Sequence, residues 1–582
     1  MPKMMKKLIA LLLALTVVIS AMPSAVSADS EDLPERIDIS LDGFRWSLKT
    51  LDGRTINQDT YADKTVLFVF YRATLNEDGE GMCINSNWMI SELADSAWVN
   101  SEDIQVIAVD GDDNNYADVA RYKEIYAPDC DSIDFVVNGG SFMWKLLWQT
   151  HPTADSLSFI YSLCMVVKNN TVYYEWDEAT SAFYCREVLE SVLKKPIIGK
   201  VGLNVEKHTR AEIRDFINKN YASMSQPVTY SVEPSLSEPY APGVLSDETA
   251  DSALNLLNQV RYIAGLNADV ILDPEKSEYA VAGTLLNHLN NTLSHKPERP
   301  DALLDSAYDD LYDMGYTGSS RSNIGWGYKN LNQAIIHGWL ADDDSSNIDR
   351  VGHRRWFLSP SMTTVGFGAT GVYSAAYVFG SFWSENLNKY VAWPAQEMPL
   401  DYFSADYPWS VSLGYSLASE YVSVSLVRKS DGRTWNFSDL HSDGDFYVNN
   451  GNYGSPGCII FRPDSLDEIS VGDSFDVSIL INDSYEPIDV EYTVNFFDLA
   501  GSDDSEEVIF GDADGDGFVK ADDALYILKS LAGLIKLEDD VKKVVDVNAD
   551  GQVDADDALD VLKKLAGLID KFAAEVVKYG KV

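Results

Sequence analysis

The chain has 582 residues, 46% of them hydrophobic, with 91 acidic side chains against 45 lysines and arginines and a formal charge of -46. At ~100–200 residues per domain, that length calls for several hydrophobic cores. So large a negative charge excludes nucleic acid as a partner and disfavours anionic lipid surfaces.

The N-terminus reads as an address. Lys3, Lys6 and Lys7 precede an apolar run from Leu8 to Ile19, and Val26-Ser27-Ala28 supplies small residues for cleavage. This is the pattern of a secretory signal peptide over 1–28. The run is shorter than the ~20 residues a membrane span requires. The mature chain is therefore expected to be secreted, without stable membrane insertion, at a charge of about -49. Its cysteines, Cys83, Cys130, Cys164, Cys185 and Cys458, are odd in number and include no Cys-x-x-Cys spacing, so they form no disulfide framework.

Residues 38–198 alternate apolar runs such as Thr65–Tyr71, Ile104–Asp110 and Leu163–Lys168 with helical patterns, which predicts an α/β layer structure. The order of these runs, with Phe70-Tyr71-Arg72-Ala73 and then Cys83-Ile-Asn-Ser86, resembles a thioredoxin-like or peroxiredoxin-like domain. The resemblance makes Cys83 the candidate thiol of an oxidoreductase. Ser86 stands where a dithiol enzyme has its second cysteine, and Ser162 stands where the family usually has a cis-proline. A fold retained for packing or partner binding is the competing reading. Residues 199–245, rich in proline after a short helical patch, are expected to form an extended linker.

Ser246-Asp-Glu-Thr249 opens an amphipathic helix in 246–384. There His295, Ser322-Asn-Ile-Gly-Trp326, Trp339, His353-Arg-Arg-Trp356 and Val365-Gly-Phe-Gly368 occur in the order of the CAP superfamily of SCP-like extracellular domains, which this segment resembles. The resemblance implies an α-β-α sandwich whose cavity is lined by His295 and His353 and can hold a divalent metal such as zinc. Ser322 replaces one of the two cavity glutamates of that family. Asp342, Asp343 and Asp344 lie near the place of the other. Two imidazoles without an assured carboxylate make a poor zinc site, and a hydrogen-bonded cavity lining is the alternative.

From 385 to 500 the pattern alternates, as in Val422-Ser-Val-Ser-Leu-Val427, which predicts an antiparallel β-sandwich. Trp393, Tyr402 and Trp409 serve either as a carbohydrate-binding or cell-wall-binding surface or as core aromatics.

After an acidic hinge at 501–511, one pattern is written twice at an offset of 34 residues, Asp512-Ala-Asp514-Gly-Asp516-Gly-Phe518-Val-Lys-Ala521-Asp522-Asp523 and Asp546-Val-Asn548-Ala-Asp550-Gly-Gln552-Val-Asp554-Ala555-Asp556-Asp557. Oxygen donors at positions 1, 3, 5 and 12, a backbone carbonyl at 7 and glycine at 6 suit calcium, a hard cation taking ~6–8 oxygens. The metal ligands expected are Asp512, Asp514, Asp516, Phe518, Asp523, Asp546, Asn548, Asp550, Gln552, Asp554 and Asp557, for two calcium ions. Aspartate at position 12, and a helix after each loop without a matching helix before it, give 512–570 a resemblance to type I dockerins, with 571–582 a tail. That family binds cohesin domains of cellulosome scaffolds, and the resemblance places the contact at Ala521, Asp522, Ala555, Asp556 and the helices that follow. The whole chain thus reads as a subunit docked on an extracellular polysaccharide-degrading complex. The competing reading is a hydrolase, peptidase or single-cysteine oxidoreductase carried by the same complex.

Overall fold

The run Thr65–Tyr71 has no polar face, so it belongs in the middle of a sheet covered on both sides. The computed structural model describes residues 33–574, apart from 77–79, 113, 152–162, 177–180, 381–388, 483–486, 501–509, 514–518, 533, 538, 567 and 570. The expected signal peptide and Ser162 lie outside the described residues.

Strands β1 (Ile39–Ser40), β2 (Ser47–Thr50), β3 (Thr55–Asn57), β4 (Thr65–Tyr71), β5 (Ile104–Asp110), β6 (Ile133–Val137), β7 (Leu163–Lys168) and β8 (Thr171–Trp176) form one sheet in the order β1-β8-β7-β4-β5-β6-β2-β3. All of β4 is buried. It runs parallel to β5 and antiparallel to β7, and β8 turns back on β7. Helices α1 (Ile84–Asp95), α2 (Tyr116–Tyr126) and α4 (Ala182–Leu193) cover one face, while α3 (Gly140–Thr150) packs Phe142, Met143 and Leu146 on the other. A βαβ unit followed by an antiparallel hairpin and a helix is a thioredoxin-like arrangement.

The expected linker is not extended. Gly199–Val201 forms β9, and α5 (Arg210–Lys219) starts with a capping box between Thr209 and Glu212 and buries Ile213. Strands β10 (Tyr230–Val232) and β11 (Val244–Leu245) pair, and Leu245 joins the same core as Ile213. The prolines break helix and strand periodicity, but the apolar residues between them still find a core to enter.

Beyond it, α6 (Asp247–Ile263), α7 (Pro274–Leu289) and α8 (Asp309–Ser320) pack with a small sheet, β12 (Ile271–Leu272), β13 (Ser322–Trp326), β14 (Thr364–Thr370) and β15 (Tyr373–Tyr377), in the order β12-β14-β15-β13. Ser246 caps α6 by accepting from the Thr249 amide. Helices α7 and α8 touch backbone to backbone at Gly318, where a Cβ would stand 1.8 Å from the Tyr279 carbonyl oxygen. A short helix, Gly352–Phe357 (α9), precedes β14.

Strands β16 (Val391–Trp393), β17 (Glu397–Pro399), β18 (Trp409–Ser412), β19 (Val422–Arg428), β20 (Thr434–Phe437), β21 (Gly444–Asn449), β22 (Cys458–Pro463), β23 (Ser474–Ile481) and β24 (Ile488–Phe497) build two sheets, β16-β18-β22-β21 and β17-β24-β23-β19-β20, with β9 also on β24. Trp409 joins them, its ring centroid 5.4 Å from that of Phe475 and 5.8 Å from that of Phe403. Trp393, Tyr402 and Trp409 are all buried, so they offer no carbohydrate surface. One apolar core runs without a break from Ile213 through Trp339 to Phe497, so no core boundary separates 246–384 from 385–500.

Buried arginines seal this junction. Fully enclosed Arg354 donates to the carbonyls of Leu340, Ala341 and Pro408 and to Ser410 Oγ. Arg355 reaches Asn449 Oδ1 at 3.0 Å and the Ser455 carbonyl at 2.6 Å. Among the described residues no helix is long and apolar enough to cross a membrane. Arg354→Met should lower unfolding stability by about 3–5 kcal/mol, because several buried carbonyls lose their donor together. Urea unfolding of the full chain checks this, and a midpoint equal to wild type contradicts it.

Candidate functional site

The C-terminal repeat folds as α10 (Ala521–Leu531), α11 (Asp539–Val545) and α12 (Ala555–Leu565). Contrary to expectation, the second loop does have a helix before it, since α11 ends one residue short of Asp546. The domain also reaches beyond its expected bounds. Phe510 is buried, the Gly511 amide donates to the Val544 carbonyl, and Phe572 and Ala574 close the core where a tail was expected.

Of the first loop, Asp514, Asp516 and Phe518 lie outside the described residues, as does the side chain of Asp522. The residue at position 12 shows how the copies correspond. Asp523 accepts from the Ala513 and Lys520 amides, both at 2.6 Å. Asp557 accepts from the Val547 and Asp554 amides at 3.0 and 2.9 Å, the same bonds 34 residues on. In the second loop Asp546 accepts from the Asp550 and Gly551 amides, Asn548 from the Asp550 amide and Asp550 from the Gln552 amide. Gly551 takes φ +85°, the sharp turn that position 6 requires.

The donor types and the loop path fit calcium. The carboxylates themselves are turned onto loop amides, and among the described residues no three His, Cys, Asp or Glu side chains converge. Burial pushes the Asp557 carboxyl above its ordinary value, loop amides pull it back, and the Asp546 charge adds to the rise.

The two helices turn alternate faces inward and outward. Ala524 and Ile527 share a core with Ala558 and Val561. Facing out are Leu525, Leu528, Leu531 and Leu534, exposed by 49, 43, 46 and 74%, and their counterparts Leu559, Leu562, Leu565 and Leu568, exposed by 46, 43, 46 and 74%. Each row follows a helical spacing, and its exposure repeats almost to the digit. Ala521, Ala555 and Asp556 are exposed at the head of these rows.

The mid-chain histidines do come together. Ring centroids of His295 and His353 lie 6.5 Å apart, and both side chains line two adjoining cavities of about 480 and 340 Å3. His295 Nδ1 donates to the Ser319 carbonyl at 3.0 Å, and His353 Nδ1 donates to Asp342 at 2.7 Å. Each ring therefore keeps Nε2 free of those bonds. Ser322 lines the smaller cavity, its buried hydroxyl without a hydrogen-bond partner among the described residues. Asn452 and Tyr453, from the loop after β21, close the same cavity.

Sequence reasoning left open which acid near Trp339 serves this site. Asp342 is buried, and its other oxygen accepts from the Arg354 amide. Asp342 is committed to His353 and the backbone, and Asp344, which lines the larger cavity, accepts from Ser346 and Asn347. Among the described residues no third His, Cys, Asp or Glu side chain converges with the two imidazoles, so the set does not fit zinc. The two rings are biased oppositely. Burial lowers His353, but the charge and hydrogen bond of Asp342 outweigh it and hold the ring above the ordinary histidine value. Burial holds His295 below that value, with the Ser319 carbonyl opposing and the His353 charge adding to the depression.

Cys83 is half-exposed at the N-cap of α1, and Ser86 Oγ donates to its Sγ at 3.2 Å. The other four cysteines are buried, and among the described residues no disulfide joins any of the five. The position for dithiol exchange thus holds a hydroxyl.

NMR titration should place His353 above and His295 below the ordinary value of about 6.5. Asp342→Asn should bring His353 down. Because the folded value of His353 is raised, its pairing stabilises fully below about pH 6.5 and fades as pH rises through that raised value. An unchanged His353 titration in Asp342→Asn contradicts the assignment.

Comparison with known families places a match to the dockerin type I domain at residues 510–566. No curated protein sequence matches the chain. Solved structures similar to part of it include a SCO1/SenC family lipoprotein from Bacillus anthracis, 10% identical, covering 28% of this chain and 98% of that one at a TM-score of 0.22. The soluble domain of Sco1 from Bacillus subtilis is 12% identical, covering 28% and 95% at 0.21. A putative protein disulfide isomerase from Bacteroides thetaiotaomicron is 9% identical, covering 28% and 92% at 0.21. The thioredoxin-like description of the N-terminal region rests on its own strand order. At the other end, the repeated loops, the shared helical core and the family match agree: residues 510–566 are a dockerin type I domain.

Proposed function

We propose that the protein is a secreted subunit that docks through its C-terminal domain onto a cohesin of a cellulosome-type, polysaccharide-degrading complex, and there displays a thioredoxin-like module and a CAP-like module fused to a β-sandwich. The observation that carries this reading is the pair of leucine rows with matching exposure, since an apolar ridge left open in a small domain marks a partner surface. Two calcium ions, one per loop, hold the helices that present those rows. Metal binding and folding are coupled in such loops, because unneutralised carboxylates repel one another around an empty centre.

Either row can meet the partner, since a half-turn of the domain exchanges Leu525, Leu528 and Leu531 for Leu559, Leu562 and Leu565. Ala521 with Asp522, and Ala555 with Asp556, flank the contact. The histidine cavity serves as a polar ligand site without zinc. Ser86 beside Cys83 favours a display role over dithiol chemistry.

Chelation should abolish cohesin binding by the full chain, and added calcium should restore it. Calorimetry that finds binding unchanged in excess chelator rejects the reading. Leu525→Asp with Leu528→Asp should weaken binding only about twofold, the loss of one of two equivalent orientations. Adding Leu559→Asp with Leu562→Asp should remove it. Complete loss from one row alone, with none from the other, rules out two orientations.

A further inference from the structure

The thioredoxin-like domain holds a cavity lined neither by Cys83 nor by the helix that follows it. It has a volume of about 230 Å3 and lies at the Val66 end of the sheet face that α3 covers. Phe142 of α3 packs on Phe68 at 5.3 Å between ring centroids, and beyond it the face is closed by the chain from Leu41 to Trp46. Leu41, Val66 and Phe68, each at most 7% exposed, make the floor. Trp46 sets its ring edge-on against Phe68 at 5.7 Å and lines one side.

The rim is of the opposite character. Arg45, Lys64 and Lys168 line it together with Asn57, Gln58, Asn169 and Asn170, and Asp59 is the one acid among the lining residues. In a chain carrying 91 acidic side chains against 45 lysines and arginines, a cavity where cations outnumber acids runs against the background. Among the described residues, none of the three side-chain charges has an ion pair or hydrogen bond.

They also come from separate elements that the fold holds in place. Lys64 precedes β4, Arg45 precedes β2, and Lys168 ends β7, where Val66 pairs with Val167. Asn169 and Asn170, at φ +47° and +58°, form the two-residue turn that joins β7 to β8 and fixes Lys168 at the strand end.

We infer that this cavity binds a small amphipathic anion, an aromatic carboxylate whose ring sits on the Leu41, Val66 and Phe68 floor and whose charge meets Arg45, Lys64 and Lys168. The volume is below the ~300–1,000 Å3 of sites for drug-sized ligands, which suits one ring and its acid and excludes a dinucleotide. An arginine fork and amide side chains recognise a planar carboxylate by paired hydrogen bonds. The apolar floor gives a bare inorganic anion nothing to bury. This site is independent of cohesin docking.

The test is calorimetry on the full chain at low salt, with 3-phenylpropionate, 3-phenylpropanol and inorganic phosphate as probes. Saturable binding of 3-phenylpropionate at one site per chain is expected, with the alcohol about tenfold weaker or more and phosphate without saturable binding. Arg45→Gln and Lys168→Gln should each weaken the acid about tenfold while leaving the melting temperature unchanged, since both side chains stand on the rim. Absence of acid binding, equal affinity for the alcohol, phosphate binding as tightly as the acid, or full affinity in both variants would each overturn the assignment.

Discussion

The middle of the molecule depends on charged groups that have left water and found only neutral partners. Arg354 and Arg261 are both fully enclosed, and burial pushes each guanidinium down to about 10. Arg261 donates to the carbonyls of Phe357, Ser359 and Asn267, so it braces the end of α9 from α6. Carbonyls at helix ends and turns need donors, and a guanidinium supplies five in a fixed fork. Arg354 and Arg355 extend from the same short helix into the loops of the sheets. His353 stands one residue before them, so its place in the cavity follows from where the arginines are anchored. Asp342 ties the arrangement together, with one oxygen on the imidazole and the other on the Arg354 amide.

The C-terminal domain solves a different problem with much less material. Its core is small, and aspartates at position 12 sit inside it, each accepting two or more loop amides. That makes the loops continuous with the helix starts, so whatever occupies the loops also sets the angle of the helices. Of the inner residues, Ala524 and Ala558 are the same in both copies while Ile527 is matched by Val561, as asymmetric core packing allows. The outer leucines do not differ at all in identity and hardly in exposure, so the two copies present equivalent apolar rows.

The parts most legible in the sequence were those with a strict period. The 34-residue repeat, the fully apolar Thr65–Tyr71 and the capped α6 each carry their structure in local spacing. The pairing of His295 with His353 was legible only through a resemblance of motifs, because the residues are far apart in sequence. Asp342 could not be chosen over Asp343 and Asp344 by pattern, since burial and a left-handed φ of +44° single it out, and neither shows in a run of identical side chains. The 199–245 segment misled for a physical reason. Prolines erase periodicity, yet Val201, Leu203, Ile213 and Tyr230 retain the apolar surface that draws the segment into the core. The same holds for the division at 384, where composition changes but the packed interior does not.

Strand β24 is ten residues long, and its outer side is closed by two three-residue pieces: β17 pairs along Asn495–Phe497 and β9 along Ile488–Val490. The second piece arrives from the chain that leaves the thioredoxin-like domain, so that domain's exit is also a cover for another sheet's unpaired amides. Edges of this length, once bared, template pairing with other chains. A protease cut between β9 and α5 would therefore do more than separate two modules. It would let β9 peel away and leave a sticky ladder, so the cleaved protein would be prone to aggregate, and the short strand works as a guard against self-association.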